Sequence, residues 1–189
     1  MTAFTPSQST LHAAQSLLLI IDIQERLAPA IANVDALIAE NVRLLRVAAE
    51  LQLPRLYTEQ YPKGLGATVP SLQEPLAGAH FYEKIHFSAG REPEFRDQLA
   101  SLGRTQVVVT GTETHVCVLQ TVLDLLALEY HVFVVADAVS SRSPENKERA
   151  LARMAQAGAH VVSSEMVIFE WLERAGTDQF RTISKAYIR

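Results

Sequence analysis

Cysteine is almost missing from this chain: Cys117 is the only one. An internal disulfide framework is therefore excluded, and such sparing use of thiols suits a reducing compartment. The six histidines, at positions 12, 80, 86, 115, 131 and 160, never recur at ligand-like spacing, so no metal site is expected. Basic charge is also in short supply. Lys and Arg number 17 against 21 Asp and Glu, a formal net charge of −4, which leaves no electrostatic footprint for nucleic acid. No apolar run approaches the roughly 20 residues that a membrane span requires. Residues 1–16 are rich in Ser, Thr and Gln and lack the apolar stretch of a signal peptide. The expectation is a cytoplasmic protein with a frayed tail over residues 1–16 and no membrane or nucleic-acid partner.

What is present is an ordinary globular balance, 48% apolar and 20% charged over 189 residues, enough for one domain with a sizeable core. Short apolar runs alternate with segments of helical period. Strands are expected at residues 17–23, 54–58, 80–84, 105–110, 131–136 and 160–162, and helices at 30–51, 92–102, 116–129, 144–157, 165–174 and 178–186. Ser143-Pro144-Glu145 supplies an N-cap, a proline at the first helical position and an acid in the first turn, and Gly158 closes that helix. Residues 59–76 hold three of the chain's eight prolines and two of its eight glycines and read as a long loop. No linker or repeat divides the chain, so residues 17–189 form a single domain. Such alternation implies an α/β fold: three α/β/α layers, Rossmann-like, around a six-stranded parallel sheet of expected order 3-2-1-4-5-6.

In that order the first and fourth strands are neighbours at the switch point, and a crevice opens beyond their C-terminal ends. Asp22 ends the first strand, Lys84 ends the third, and Cys117 follows the fourth at the start of a helix. Three chemically active side chains thus converge on one crevice. The positive end of the helix dipole, with Lys84 adding to its field, is expected to favour the Cys117 thiolate.

These same residues carry a resemblance. Leu-Leu-Leu-Ile-Ile-Asp22-Ile-Gln24, the pair Glu83-Lys84, and Gly111-Thr-Glu-Thr-His-Val-Cys117-Val are similar to the three signature segments of the isochorismatase-like cysteine hydrolases. That family includes nicotinamidases and many amidases. Thr58-Glu-Gln-Tyr-Pro-Lys-Gly-Leu-Gly66-Ala-Thr-Val-Pro70 and Asp137-Ala-Val-Ser-Ser-Arg142-Ser resemble segments of its isochorismatase domain-containing branch. The resemblance runs from Leu17 to about Ile183, and the three motifs in order are specific where any one alone is weak.

The resemblance implies a triad in which Cys117 attacks a carbonyl carbon, Asp22 takes the thiol proton and later delivers it to the leaving amine, and Lys84 supports Asp22 and the thiolate. It also implies a cis peptide between Thr112 and Glu113, with the backbone N–H groups of Glu113 and Cys117 forming an oxyanion hole. Glu113 is larger and more acidic than the small residue many relatives carry there; its side chain either lines the crevice or anchors the turn. Gln24, Gln60, Tyr61 and Phe87 are candidate substrate contacts. Gln60 and Tyr61 equally suit a structural loop, Phe87 equally suits core packing, and Arg142 suits either a substrate carboxylate or the helix that follows it. Nicotinamidases carry an Asp-x-His-x-x-His cluster after the second strand, where residues 58–63 here hold no histidine, which counts against metal and against nicotinamide.

The leading expectation is a metal-independent, cofactor-free cysteine hydrolase cleaving a small amide or related C–N bond through a thioester. The alternatives are a non-catalytic binder of a metabolite or partner, and a thiol redox responder. The apolar stretch Val167-Ile-Phe-Glu-Trp-Leu172 spreads round most of its helix, so a homo-oligomer, at least a dimer, is also expected.

Overall fold

The structure is a computed structural model and describes Ser7 and residues 9–188. Six strands alternate with helices: β1 (Ser16–Ile21), α1 (Val34–Glu50), β2 (Arg55–Gln60), α2 (Pro62–Leu65), α3 (Pro70–Gln73), β3 (His80–Lys84), α4 (Pro93–Ser101), β4 (Gln106–Thr112), α5 (Leu119–Ala127), β5 (His131–Ser140), α6 (Pro144–Gln156), β6 (His160–Val162), α7 (Ser164–Leu172) and α8 (Asp178–Ile183). Every pairing within the sheet is parallel, in the order β3-β2-β1-β4-β5-β6. The fold class and strand order are those expected from the alternation.

A parallel sheet covered on both sides needs strands that are apolar on both sides. β1 meets that need with six consecutive buried residues. Leu18 and Ile20 enter one core with α1 and α7, while Leu17, Leu19 and Ile21 enter the other with α4, α5 and α6. Where β4 runs beside β1, Gly111 is obligatory. Its φ is +111°, and a Cβ there would lie 2.0 Å from the carbonyl oxygen of Ile21. The glycine lets the two central strands stay in register at the end where the chemistry sits.

Three expectations need correction. Residues 9–16 are not a loose tail, although residues 1–6 and 8 lie outside the described residues. Leu11 is fully buried, its N–H donates to Glu170 Oε2 at 2.7 Å, the N–H of His12 donates to Gln106 Oε1 at 2.8 Å, and Ser16 opens β1. Residues 59–76 are not an irregular loop. β2 continues to Gln60, and Pro62 and Pro70 each open a short helix. The segment is drawn back by Glu59 Oε1, which accepts from the Thr68 N–H at 2.6 Å and its hydroxyl at 2.7 Å. β5 runs on to Ser140, past the apparent break at Asp137. A register shift opposite Val109 and Gly111 absorbs the polar residue, and Asp137 accepts from the N–H and hydroxyl of Ser164 at the start of α7.

Helix α7 settles the fate of the apolar stretch near the C-terminus. Val167, Ile168, Trp171 and Leu172 are buried in the chain's own core, and only Phe169, at 44% exposure, remains outward with Met166 at 50%. The apolar surplus is therefore smaller than the sequence implied.

Candidate active site

The strand order explains how residues distant in sequence meet. Reading β3, β2, β1, β4 across the sheet, the C-terminal ends present Lys84, Gln60, Asp22 and the turn to Cys117 in succession. Gln60 sits opposite Lys84 in the register. The Asp22 N–H donates to Thr58 O at 3.2 Å, which fixes the end of β1 against β2. Asp22 then turns into the left-handed region, φ +49°, a conformation that a short polar side chain tolerates better than most.

Asp22 and Lys84 are each 1% exposed, and Asp22 Oδ2 lies 2.7 Å from Lys84 Nζ. A lysine that the sequence alone would leave in solvent is thus fully enclosed. Its ammonium has further acceptors in Gln60 Oε1 at 2.7 Å and the carbonyls of Phe87 at 3.0 Å and His86 at 3.4 Å. Buried charge is tolerated only with such pairing. Asp22 Oδ1 accepts from the Thr58 hydroxyl at 2.7 Å, whereas Oδ2 takes no directed hydrogen bond beyond its ion pair. One carboxylate oxygen therefore keeps a lone pair available for a proton. The backbone carbonyl of Asp22 accepts from the Thr112 hydroxyl at 2.6 Å, tying β4 to the same point.

Cys117 lies in a wide, π-type turn, Thr114–Val118, between β4 and α5. It is 6% exposed, its Sγ is 4.0 Å from Gln60 Oε1, and the charges of Asp22 and Lys84 both act on it. The expected electrostatics are overturned here. Burial pushes the thiol up to about 12, the Asp22 charge pushes the same way, and Lys84 only partly offsets them. Desolvation disfavours the thiolate more than the helix end and one lysine favour it. At rest the group is a thiol beside a carboxylate.

The peptide between Thr112 and Glu113 is cis. The Glu113 side chain, 5% exposed, anchors the turn rather than lining an open crevice. Its Oε1 accepts from Arg142 Nη2 at 2.6 Å, and its Oε2 accepts from Arg142 Nε at 3.0 Å and from the Arg142 backbone N–H at 2.9 Å. Burial alone would push this carboxyl up, but the Arg142 bonds and charge outweigh it and hold Glu113 below the ordinary glutamate value. Arg142 is thereby committed to Glu113.

The four candidate substrate contacts divide. Gln24 is fully buried and spent on structure: its Nε2 donates to Gln60 O at 3.1 Å and Gly66 O at 2.7 Å, and its Oε1 accepts from the Gln60 N–H at 2.8 Å. With these groups engaged it is not a free contact, which corrects that expectation. Gln60 lies within the cluster, bridging Lys84 and the Ile85 carbonyl, to which its Nε2 donates at 2.8 Å. Tyr61 and Phe87 flank it with exposed rings, at 51% and 52%. Core packing of Phe87 is thus excluded. Tyr61 is held at φ +39° by its N–H bond to Lys84 O at 3.0 Å, and its ring occupies the space above Gly64 where a Cβ would be only 2.5 Å away. Sequence reasoning missed Thr58, the link from Gln60 to Lys84, and the Glu113–Arg142 pairing. Thr58 and Arg142 both lay in segments that carried the resemblance, but nothing local showed their partners. Among the described residues, no group of three or more His, Cys, Asp or Glu side chains is placed to hold a metal ion.

The chain belongs to the isochorismatase domain family, whose model matches residues 16–166. Isochorismatase domain-containing protein 2A of Mus musculus is 40% identical over 98% of this chain and 88% of its own length. The solved structure of the MAR1 ribonuclease from Caenorhabditis elegans is 38% identical with a TM-score of 0.90, covering 95% of this chain and 93% of that one. YcaC from Pseudomonas aeruginosa, solved with hexane-2,5-diol and covalent acrylamide, is 25% identical with a TM-score of 0.89, covering 97% and 94%. The family is one of hydrolases on this Rossmann-like sheet. No helix among the described residues is long and apolar enough to cross a membrane.

Proposed function

We propose that this protein is a metal-independent cysteine hydrolase that cleaves a small amide or related C–N bond through a thioester, with Asp22, Lys84 and Cys117 as its triad. The observation that carries the reading is a buried thiol beside a buried carboxylate whose Oδ2 is held only by Lys84. A thiol pushed up to about 12 needs a base at the moment of attack rather than a standing thiolate. Asp22 takes the Cys117 proton as sulfur bonds to the carbonyl carbon, the carbonyl oxygen takes the negative charge, and the N–H groups of Glu113 and Cys117 stabilise it. Collapse breaks the C–N bond, and Asp22 gives its proton to the departing amine. Water then hydrolyses the thioester, with Asp22 again as base, and the thiol is regenerated. Lys84 keeps the buried Asp22 paired throughout. The covalent acrylamide on YcaC supports the reading, since acrylamide is a neutral amide that captures nucleophilic thiols.

A redox-sensing role is disfavoured, because sensor cysteines are exposed and easily ionised. The relative described as a ribonuclease favours one second reading, RNA cleavage; the net charge of −4 argues against a grip on phosphates. We further propose a cytoplasmic location, from the lone thiol, and a homo-oligomer whose contact includes Met166 and Phe169.

The test is a panel of small amides, p-nitrophenyl butyrate and a structured RNA, each offered to the wild type and to Cys117→Ala. Amide or ester turnover that vanishes in Cys117→Ala and survives exhaustive chelation is expected. Turnover retained in that variant refutes the mechanism, and RNA cleavage without amide or ester turnover replaces it with the second reading.

A further inference from the structure

Glu113 stands at the N-cap of the turn that carries Cys117, yet its side chain makes no capping bond to that turn. N-cap positions favour side chains that satisfy the free N–H groups just after them. Here the carboxylate reaches away, across 29 positions of sequence, to the loop after β5. There it accepts from both Nε and Nη2 of the Arg142 guanidinium together with the Arg142 backbone N–H. A two-point Arg–carboxylate pair fixes direction as well as distance. A second tie runs parallel to it, between His115 Nδ1 and Ser141 Oγ at 3.0 Å. The main chain completes the frame, because the Glu113 carbonyl accepts from the N–H groups of Val116 at 3.0 Å and Val118 at 3.2 Å. Cys117 is enclosed between those two donors. The clamp is asymmetric: the carboxylate is enclosed at 5% exposure while the Arg142 side chain is 63% exposed. The buried member is the one whose own carbonyl is bonded into the turn that carries Cys117.

We propose that Glu113 and Arg142 are a positioning pair for acyl transfer. Their clamp aims the main chain of Glu113, and with it the N–H assigned to the oxyanion, at the carbonyl oxygen of the substrate. The proposal rests on the hydrolase reading above. Neither side chain touches the reacting atoms; they act through the backbone they hold. Arg142 is consequently a positioning residue rather than a receptor for a substrate carboxylate.

Two probes separate this role from simple support of the fold. Thioester formation from p-nitrophenyl butyrate passes through a tetrahedral oxyanion. Alkylation by iodoacetamide does not: sulfur displaces iodide at a saturated carbon, and the thiol proton leaves to Asp22 and then to solvent. In Arg142→Met and Glu113→Gln, kcat on the ester should fall about 10- to 100-fold with KM within about twofold, the scale of a displaced oxyanion donor. The iodoacetamide rate at Cys117 should stay within about twofold. Arg142→Lys, which restores the charge without the fork, should recover part of the ester rate. An equal fall on both probes means that the clamp merely supports the turn and overturns the proposal, as does an unchanged ester rate. Cys117→Ala is the control: ester turnover surviving in it overturns the hydrolase reading itself, whereas its loss leaves the clamp judged by the two-probe comparison alone.

Discussion

Replacing Asp22 by Asn should move the Cys117 thiol in the direction opposite to its effect on catalysis. In the wild type, burial and the Asp22 charge raise the thiol to about 12 from its ordinary value of 9.0, and Lys84 opposes them. At pH 7 such a shift leaves about 1000-fold less thiolate than an unperturbed thiol would show. The substitution removes the carboxylate charge and keeps the shape, while the Lys84 ammonium loses its counter-charge and acts on sulfur alone. A single charge at this range moves a pKa by about 1–3 units. The thiol of Asp22→Asn should therefore titrate about 1–3 units lower, and its thiolate population at neutral pH should rise about 10- to 1000-fold. Hydrolysis should nonetheless collapse, because no group remains to take the thiol proton and deliver it to the leaving amine. The pH dependence of iodoacetamide alkylation reads this directly, since Cys117 is the only cysteine and the modified thiol is no other. A titration midpoint in Asp22→Asn that is unchanged or higher would refute the electrostatic account. Hydrolysis that survives with a lowered midpoint would refute the role of Asp22 as proton carrier. The linkage has a sign as well. Because the folded thiol is raised above its unfolded value, its contribution to stability is complete below the unfolded pKa, near 9, and is lost as pH climbs toward 12.

Lys84→Met leaves Asp22 buried without its cation, a change that typically costs about 3–5 kcal/mol, so the thermal midpoint should drop by roughly 6–20 °C and iodoacetamide alkylation of Cys117 should slow; an unchanged midpoint would mean that the pair is not enclosed as described. Gly111→Ala should leave little folded protein, since the left-handed backbone alone costs about 1–3 kcal/mol before the contact with Ile21 O is relieved; normal yield and melting would contradict the close approach of β1 and β4. Light scattering at micromolar concentration should give a mass that is a multiple of the chain, and Phe169→Glu should reduce it; a single mass near 20.9 kDa in the wild type would end the oligomer proposal.

Much of the architecture was legible because it rests on local pattern. Consecutive buried residues in β1 and the Ser143 cap with Pro144 opening α6 are written in neighbouring positions, and parallel strands with right-handed crossovers leave few orders to choose from. The pattern failed where a polar residue serves a distant partner. Asp137 looked like the end of a strand because its acceptors face Ser164, and residues 59–76 looked irregular because the bonds that order them come from Gln24 and from Glu59 reaching to Thr68. Leu11 and its neighbours looked like a tail because their burial depends on Glu170 and Gln106.

The site divides in the same way. Residue types and chain positions marked Asp22, Lys84 and Cys117 as a candidate set, because strand ends are where such a sheet gathers side chains. Their energetics were not in the sequence. A helix end and a lysine are local signals that argue for a thiolate, whereas the opposing effect, removal of the thiol from water, exists only once β1 to β4 and α5 have closed round it. Gln24, named as a contact, became a strut, and Gln60 became the wedge between lysine and thiol. Glu113 acquired a partner only when the ends of β4 and β5 came side by side. Patterns of apolar and polar residues decide which elements form and in what order they pair, because those preferences act over a few residues. Protonation, enclosure and long-range partnership are set by the dielectric and the neighbours that the folded chain creates, and they become definite only in three dimensions.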